Sequence, residues 1–92
     1  MNRIYLNDLF DLYGDLLSDS ERLVFIDYYQ NDLSLSEIAQ NNNVTRNAIF
    51  KRVKTVEDKL NNYEDKLKLY NKKRKILDLI DKKDYDKIID IL

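Results

Sequence analysis

The chain of 92 residues contains no cysteine, which excludes disulfides and thiolate metal sites. It contains no histidine either, and histidine is the commonest general base and metal ligand in proteins. No pair of carboxylates stands beside a nucleophile or a base in a recognisable catalytic motif. We therefore expect neither an enzyme nor a bound cofactor or metal.

Proline is absent and glycine occurs once, at Gly14, whereas charged residues make up 36% of the chain. Because proline and glycine interrupt helices more strongly than other residues, this composition predicts an all-α fold with short joints. No apolar run is long enough to span a membrane, and the opening MNRIYLNDLF lacks the apolar core of a signal peptide. We expect a cytoplasmic protein without membrane insertion.

Residues 34–53, SLSEIAQNNNVTRNAIFKRV, have the pattern of a helix-turn-helix. Ser34 and Glu37 match a capping box that begins a first helix. The three asparagines 41–43 interrupt that helix where the turn needs a left-handed residue, a conformation that asparagine tolerates well. Thr45 then caps a second helix, and in such motifs the second helix enters the DNA major groove.

Apolar residues at helical spacing predict further helices on both sides of this motif. Two helices precede it, at about 3–17 and 19–31, and a helical extension follows it at about 61–92. No low-complexity linker separates these segments. We therefore expect residues 1–92 to form a single helical domain, with the helix-turn-helix at about 34–60.

A line of apolar positions continues from the second helix of the motif into the extension, with spacings of four and three residues. We call this line the seam, and it consists of Val56, Leu60, Tyr63, Leu67, Tyr70 and Leu77. Since the seam keeps its phase through Asn61 and Asn62, we expect a bend there rather than a loop. The seam can pack on the first helix or pair with a second copy in a homodimer, and the sequence leaves both alternatives open.

The net charge of −1 hides an uneven distribution along the chain. Residues 1–45 carry −6, residues 46–75 carry +7 and residues 76–92 carry −2. Positive charge therefore begins where the second helix of the motif begins. Such a field suits a polyanion, although lysines that only solvate a long helix would give the same pattern.

Seven residues of the second helix are expected to face outward and contact nucleic acid: Thr45, Arg46, Asn47, Phe50, Lys51, Arg52 and Lys54. Arg46 and Asn47 suit the edges of guanine and adenine in the major groove. The remaining cations suit phosphates, and Phe50 suits a thymine methyl or an unpaired base. The alternative is a solvated scaffold, because a fold alone does not decide function.

Several short motifs match known families. Residues 17–60, with their Leu-x-x-x-Glu-Arg opening, resemble the region-4 helix-turn-helix of bacterial sigma factors. Residues 5–80 resemble the YlxM family of small bacterial proteins. The matching positions are Tyr13, Leu16 and Leu17, Tyr28 and Tyr29, Leu35 to Ala39, Asn43 to Arg46, and Leu60-x-x-Tyr63-Glu64-x-Lys66-Leu67.

The resemblance to the YlxM family implies an accessory or regulatory protein of the signal recognition particle pathway, which directs co-translational protein targeting. Its implied partners are DNA or the particle's RNA, and the particle's protein subunit. Two other functions stay open, a sequence-specific DNA-binding transcriptional regulator and a helical adaptor for protein interactions. An A-form RNA duplex would be contacted through its backbone, because its major groove does not admit a helix.

Overall fold

The computed structural model describes residues 2–92, which form six α-helices and no strand. A 3-10 turn, Gly14–Leu16, follows the first helix, and a π-helical turn, Ile26–Gln30, follows the second. The predicted all-α fold is confirmed, and none of the helices in this range could cross a membrane. The helices are α1 (Arg3–Tyr13), α2 (Asp19–Phe25), α3 (Leu35–Asn41), α4 (Arg46–Leu67), α5 (Leu69–Asp81) and α6 (Asp86–Ile91).

Side-chain caps begin four of these helices, and at α1 the Asn2 side chain accepts a hydrogen bond of 2.7 Å from the Ile4 amide. At α2, the Ser18 hydroxyl accepts a hydrogen bond from the Glu21 amide, and the Glu21 carboxylate accepts one from the Ser18 amide. Ser34 and Glu37 form the same reciprocal pair at α3. Thr45 caps α4 through one hydrogen bond of 3.1 Å from the amide three residues further on. These local bonds place the helix starts where the sequence predicts them.

Four non-glycine residues in the described chain have a left-handed backbone, and each follows a helix or helical turn: Asp32, Asn43, Lys68 and Lys83. Asparagine and aspartate adopt this conformation more readily than other residues with a side chain. The turn at Asn43, where φ is 55°, therefore agrees with the prediction for the asparagine run. Lys68 carries no such local signal, so the sequence did not reveal its turn, whereas Lys83 lies in residues 81–84, which the sequence predicts to be a joint.

The long helix α4 continues without a break through Asn61 and Asn62 and ends at Leu67. The bend expected at the two asparagines is therefore wrong. The Asn61 side chain donates to the carbonyl of Glu57, 2.9 Å away, and so stays within the helix. The chain instead breaks at Lys68, which separates the last two seam residues onto α5.

The hydrophobic core lies between α1, α2, α3 and the first four turns of α4. No charged or polar side chain in the described chain is fully buried. The core residues are Leu6, Leu9, Tyr13, Leu17, Val24, Phe25, Ile38, Ala39, Ile49, Val53, Val56 and Leu60. The buried core thus ends at Leu60, well before the end of the chain.

The single glycine makes room for an aromatic ring. The Phe10 ring stacks on the Phe25 ring at a centroid distance of 4.4 Å. A Cβ atom on Gly14 would lie 3.2 Å from the Phe10 ring, which is closer than ordinary van der Waals contact. A side chain at position 14 would therefore push against a ring that is already held from its other face.

The molecule is elongated, with extents of 54 × 22 × 20 Å. The first turns of α5 pack on α1, where the rings of Tyr5 and Tyr70 meet edge to face at 5.0 Å. Beyond Tyr70 no side chain packs against the core, and α6 packs on α5. We call residues 69–92 the C-terminal arm.

Candidate nucleic-acid interface

The first three turns of α4 have a buried side and an exposed side. Ile49 and Val53 are buried against the core. Because a helix turns by about 100° per residue, Asn47, Lys51 and Lys54 lie on the side roughly opposite to them. All three are exposed, so the outermost side of this helix carries two cations and an amide.

The other predicted contacts flank this outermost side. Arg46 and Phe50 lie along one edge, and the Phe50 side chain is 47% exposed. Arg52 lies along the opposite edge, where it lines a shallow cleft with Ser20 and Val24 of α2. Thr45, at the helix start, is exposed as well. All seven predicted residues are exposed, spread around the first turns of α4, and we call this set the α4 surface.

Most of the positive charge on the α4 surface is not neutralised within the chain. Arg46, Lys51 and Arg52 form no ion pair with any other residue in the described range. Lys54 is the exception, since its Nζ lies 3.7 Å from the Glu57 carboxylate. Three cations are therefore without an ion-pair partner in this range, although Arg52 shares a cleft with Asp27.

The turn before α4 fixes how this helix leaves α3. The Val44 amide donates to the carbonyl of Ala39 at 3.0 Å, across the left-handed Asn43. The Asn42 side chain donates to the carbonyl of Ile38 at 2.7 Å and so completes the last turn of α3. The backbone around the start of the α4 surface is therefore held by several hydrogen bonds.

The α4 surface is short. Its outward side turns acidic at Asp58, which lies on the same side as Lys51 and Lys54. The cations 46–54 span about 13 Å of helix. The basic run 72–75 lies on a different helix, beyond the break in the chain, so it does not extend the α4 surface along one helix.

Part of that second basic run lies beside acidic residues of α1. Lys73 and Arg74 line a cleft with Asp8 and Asp11. The Arg74 guanidinium also lies 5.9 Å from the centre of the Tyr70 ring. These neighbours lower the positive potential that α5 offers to a phosphate chain.

The seam does not form one continuous line in the structure. Its residues occupy three environments: buried for Val56 and Leu60, half-buried for Tyr63 and Tyr70, and exposed for Leu67 and Leu77. The two tyrosines contact tyrosine rings of α1. Much of the seam therefore packs within the chain, and Leu67 and Leu77 remain open to solvent.

Glu64 has a structural role that sequence reasoning missed. Its carboxylate accepts hydrogen bonds from the Tyr13 hydroxyl at 2.7 Å and from the amides of Tyr70 and Asn71 at 2.9 and 3.2 Å. The Leu69 amide donates to the Tyr13 oxygen at 3.0 Å. Burial, followed by the bond to Glu64, raises the pKa of the Tyr13 hydroxyl. By accepting the Tyr70 and Asn71 amides, Glu64 caps the start of α5. In the sequence, Tyr63-Glu64 is noticeable only as part of the resemblance to a family, and no local pattern predicts this cap.

A charged contact also ties α2 to α4. Lys59 Nζ lies 2.6 Å from the carboxylate of Glu21. The hydrogen bond from Lys59 and the backbone bond from Ser18 lower the pKa of the Glu21 carboxyl. Residues 2–92 contain no group of three or more acidic side chains that could hold a metal ion.

Comparison with known proteins places this architecture in a family. Residues 1–90 match the family described as "Putative helix-turn-helix protein, YlxM / p13 like". The chain belongs to the YlxM family. It is 39% identical over 97 residues to a UPF0122 protein of Clostridium kluyveri, and the match covers 98% of this chain and 87% of that protein.

Two further relatives of this YlxM-family chain differ in how far they match. A UPF0122 protein of Fusobacterium nucleatum is 44% identical over 86 residues, covering 91% of this chain and 84% of that protein. A UPF0122 protein of Malacoplasma penetrans is 53% identical over 55 residues, covering 60% of this chain and 51% of that protein. The chain thus spans about half the length of the Malacoplasma relative. The family predicted from the sequence motifs is confirmed.

Proposed function

We propose that this YlxM-family protein binds nucleic acid through the α4 surface. The observation that carries the proposal is the exposure of Arg46, Lys51 and Arg52 without an ion-pair partner in the described chain. Cations that are already paired gain little from a phosphate, whereas unpaired ones release counterions from nucleic acid when they bind. Membership of a helix-turn-helix family supports the same function.

The geometry supports a division of roles within the α4 surface. Arg46 and Asn47 are in the first turn, the part of a recognition helix that approaches base edges. Lys51 and Lys54, one and two turns further on, are placed for phosphates. The B-DNA major groove, about 12 Å wide, admits a helix, whose diameter with side chains is about 10–12 Å.

We further propose that this binding serves an accessory or regulatory role in the signal recognition particle pathway. The support is the family membership, because the resemblance to YlxM proteins implies this pathway. In this proposal a cytoplasmic, non-enzymatic homodimer, built from single helical domains 1–92, binds the particle's RNA or its protein subunit.

A sequence-specific DNA-binding regulator is the second candidate, and the short α4 surface favours it. A major groove requires cations only along the inserted turns, and here the outward side becomes acidic from Asp58 onward. An A-form RNA duplex is contacted along its backbone, which rewards a longer run of cations. The experiment below offers the protein a DNA duplex and the particle's RNA, and the tighter binding of one of them decides between the two candidates.

The test compares two double variants with equal changes in charge. Arg46→Glu with Lys51→Glu alters the α4 surface, and Lys66→Glu with Lys68→Glu alters exposed cations outside both the α4 surface and the C-terminal arm. Each is titrated at low salt with a B-form DNA duplex and, separately, with the particle's RNA. We expect the first variant to keep its helicity by circular dichroism and to lose more than about tenfold in affinity, since one good base contact is worth about 1–3 kcal/mol.

The control variant should keep most of its affinity. An equal loss in both variants, or none in the first, would contradict the α4 surface as the binding site. Tighter binding to the particle's RNA than to the DNA duplex supports the accessory role. The reverse preference, with no binding to the purified particle protein, supports the DNA-binding regulator.

A further inference from the structure

The C-terminal arm holds six of the eleven large apolar residues that are exposed in the described chain. No side chain within residues 69–92 is fully buried. Six large apolar residues of the arm are exposed: Leu69, Leu77, Ile80, Tyr85, Ile89 and Leu92. Short helices owe most of their stability to packing of their apolar side, and exposed apolar patches of this kind mark interaction surfaces.

Three apolar residues of α5 form a narrow stripe along the helix. Leu69, Ile76 and Ile80 lie within about 40° of one another around the helix axis. Leu77 lies next to this stripe, on its α1 side, and is 54% exposed. A stripe of this width fits one partner helix laid along α5.

The charges of α5 are divided along its length. Its first half carries four cations in sequence, residues 72–75, and its second half carries Asp78 and Asp81. A second α5 in parallel orientation would place cations beside cations, which is unfavourable. A second α5 in antiparallel orientation would place Lys72 and Lys73 of each copy level with Asp81 of the other. Asp78 lies on the side of α5 away from the apolar stripe and pairs with Lys82 of its own chain at 3.0 Å.

The point on α5 halfway between the basic run 72–75 and the two aspartates, Asp78 and Asp81, is occupied by apolar residues. It lies between Ile76 and Leu77, next to the centre of the apolar stripe. A two-fold axis at this point would bring Ile76 of one copy level with Leu77 of the other, and Asp81 of one copy level with Lys72 of the other. Apolar residues at the axis and opposite charges on either side of it together favour a self-complementary antiparallel pair.

We infer that α5 pairs with the α5 of a second copy, antiparallel, about a two-fold axis near Ile76 and Leu77. This inference rests on the homodimer included in the proposed function, and it names the surface that the homodimer uses. The α4 surface lies on the other side of the Lys68 break and stays open, so the dimer presents two such surfaces.

The first test measures the oligomeric state by sedimentation equilibrium without nucleic acid. We expect the full chain to dimerise at micromolar concentration and Ile80→Ser to weaken dimerisation at least tenfold. Ile4→Ser is the matched control, because Ile4 is an exposed isoleucine, on α1. A wild-type chain that remains monomeric at 100-fold higher concentration, or equal effects of the two variants, would overturn the inference.

The second test determines the orientation of the two helices. The chain contains no cysteine, so single cysteines can be introduced without a background. Leu77→Cys should form a disulfide-linked dimer, because it lies beside the proposed axis. Leu69→Cys should not, because its two copies would be about 22 Å apart, whereas a disulfide needs Cα atoms within about 7 Å of each other. Cross-linking of both variants would indicate a parallel pair, and cross-linking of neither would indicate another partner for the arm.

These results separate the inference from the proposed nucleic-acid function. The variant with Arg46→Glu and Lys51→Glu leaves the arm unchanged, so it should dimerise and cross-link like the wild-type chain. Loss of its dimerisation would contradict the assignment of the interface to α5. Retained dimerisation with no nucleic-acid binding would leave the inference intact while the proposed function fails.

Discussion

The hydroxyl of Tyr13 on α1 donates a hydrogen bond of 2.7 Å to the carboxylate of Glu64 near the end of α4. The same carboxylate accepts the amides of Tyr70 and Asn71, in the first turn of α5. One acidic side chain therefore joins three helices beside Lys68, the residue between α4 and α5 that has a left-handed backbone. It takes the place of an N-cap for α5, because Lys68 itself provides no side-chain cap.

Replacing this acidic side chain should destabilise the joint. Glu64→Ala removes the acceptor for one hydroxyl and two amides, and we expect a loss of about 1–3 kcal/mol in the free energy of unfolding. Urea denaturation measures the loss, and hydrogen exchange should become faster in α5. Asp65→Ala changes an exposed neighbour and should alter the free energy by less than about 0.5 kcal/mol. Equal losses in the two variants would argue against a special role for Glu64.

Lys68 has a left-handed backbone, whereas Lys66 is helical. Replacing each with glycine should therefore change the stability of the fold in opposite directions. Lys68→Gly should stabilise the fold by up to about 1 kcal/mol, because glycine adopts a φ of 56° without a steric penalty. Lys66→Gly lies within α4 and should destabilise it by up to about 1 kcal/mol. Thermal unfolding of both variants checks the sign of each change. Destabilisation by both would mean that position 68 is helical in solution.

The α4 surface makes a quantitative prediction for salt. If Lys51, Arg52 and Lys54 neutralise three phosphates of duplex DNA, the logarithm of the binding constant should fall with the logarithm of salt concentration with a slope of about −2.7. Lys51→Gln should reduce the magnitude of the slope by about 0.9. Fluorescence titrations at several salt concentrations measure both slopes. Lys66→Gln, away from the α4 surface, is the control and should leave the slope unchanged.

The contact between Lys59 and Glu21 predicts a response to acid. The pKa of Glu21 is lowered in the folded protein from an ordinary value of 4.5, so the contact stabilises the fold above that value. This stabilisation is lost as the pH falls through the lowered pKa. Glu21→Gln keeps the capping box, since glutamine also serves there, but removes the charge.

Thermal unfolding from pH 7 to about pH 3 tests this response. The wild-type protein should be more stable than Glu21→Gln at the upper end, and the difference should shrink below about pH 4.5. A constant difference across this range would mean that the negative charge of Glu21 does not contribute.

The starts of α2, α3 and α4 could be predicted because their caps involve residues only three positions apart. Ser18, Ser34 and Thr45 bond to backbone amides within one turn, so the necessary information is local. The exposed side of α4 was predictable for a similar reason, because Ile49 and Val53 mark the buried side by their spacing.

The break between α4 and α5 could not be predicted, because its cause lies far away in the sequence. Asn61 and Asn62 have low helix propensity and suggested a bend, but α4 packs on α1 through this region and remains helical. Lys68 is an ordinary helix former, and its left-handed backbone accompanies the capture of the next amides by Tyr13 and Glu64.

The position of the joint at Lys68, between α4 and α5, would allow the proposed α5 interface to change while the α4 surface stays the same. Inserting one residue after Lys68 would rotate α5 by about 100° around its own axis relative to α4. The apolar stripe would then point in a new direction, and the α4 surface would be untouched. A single insertion could therefore prevent a variant chain from assembling with the parent chain while both recognise the same target.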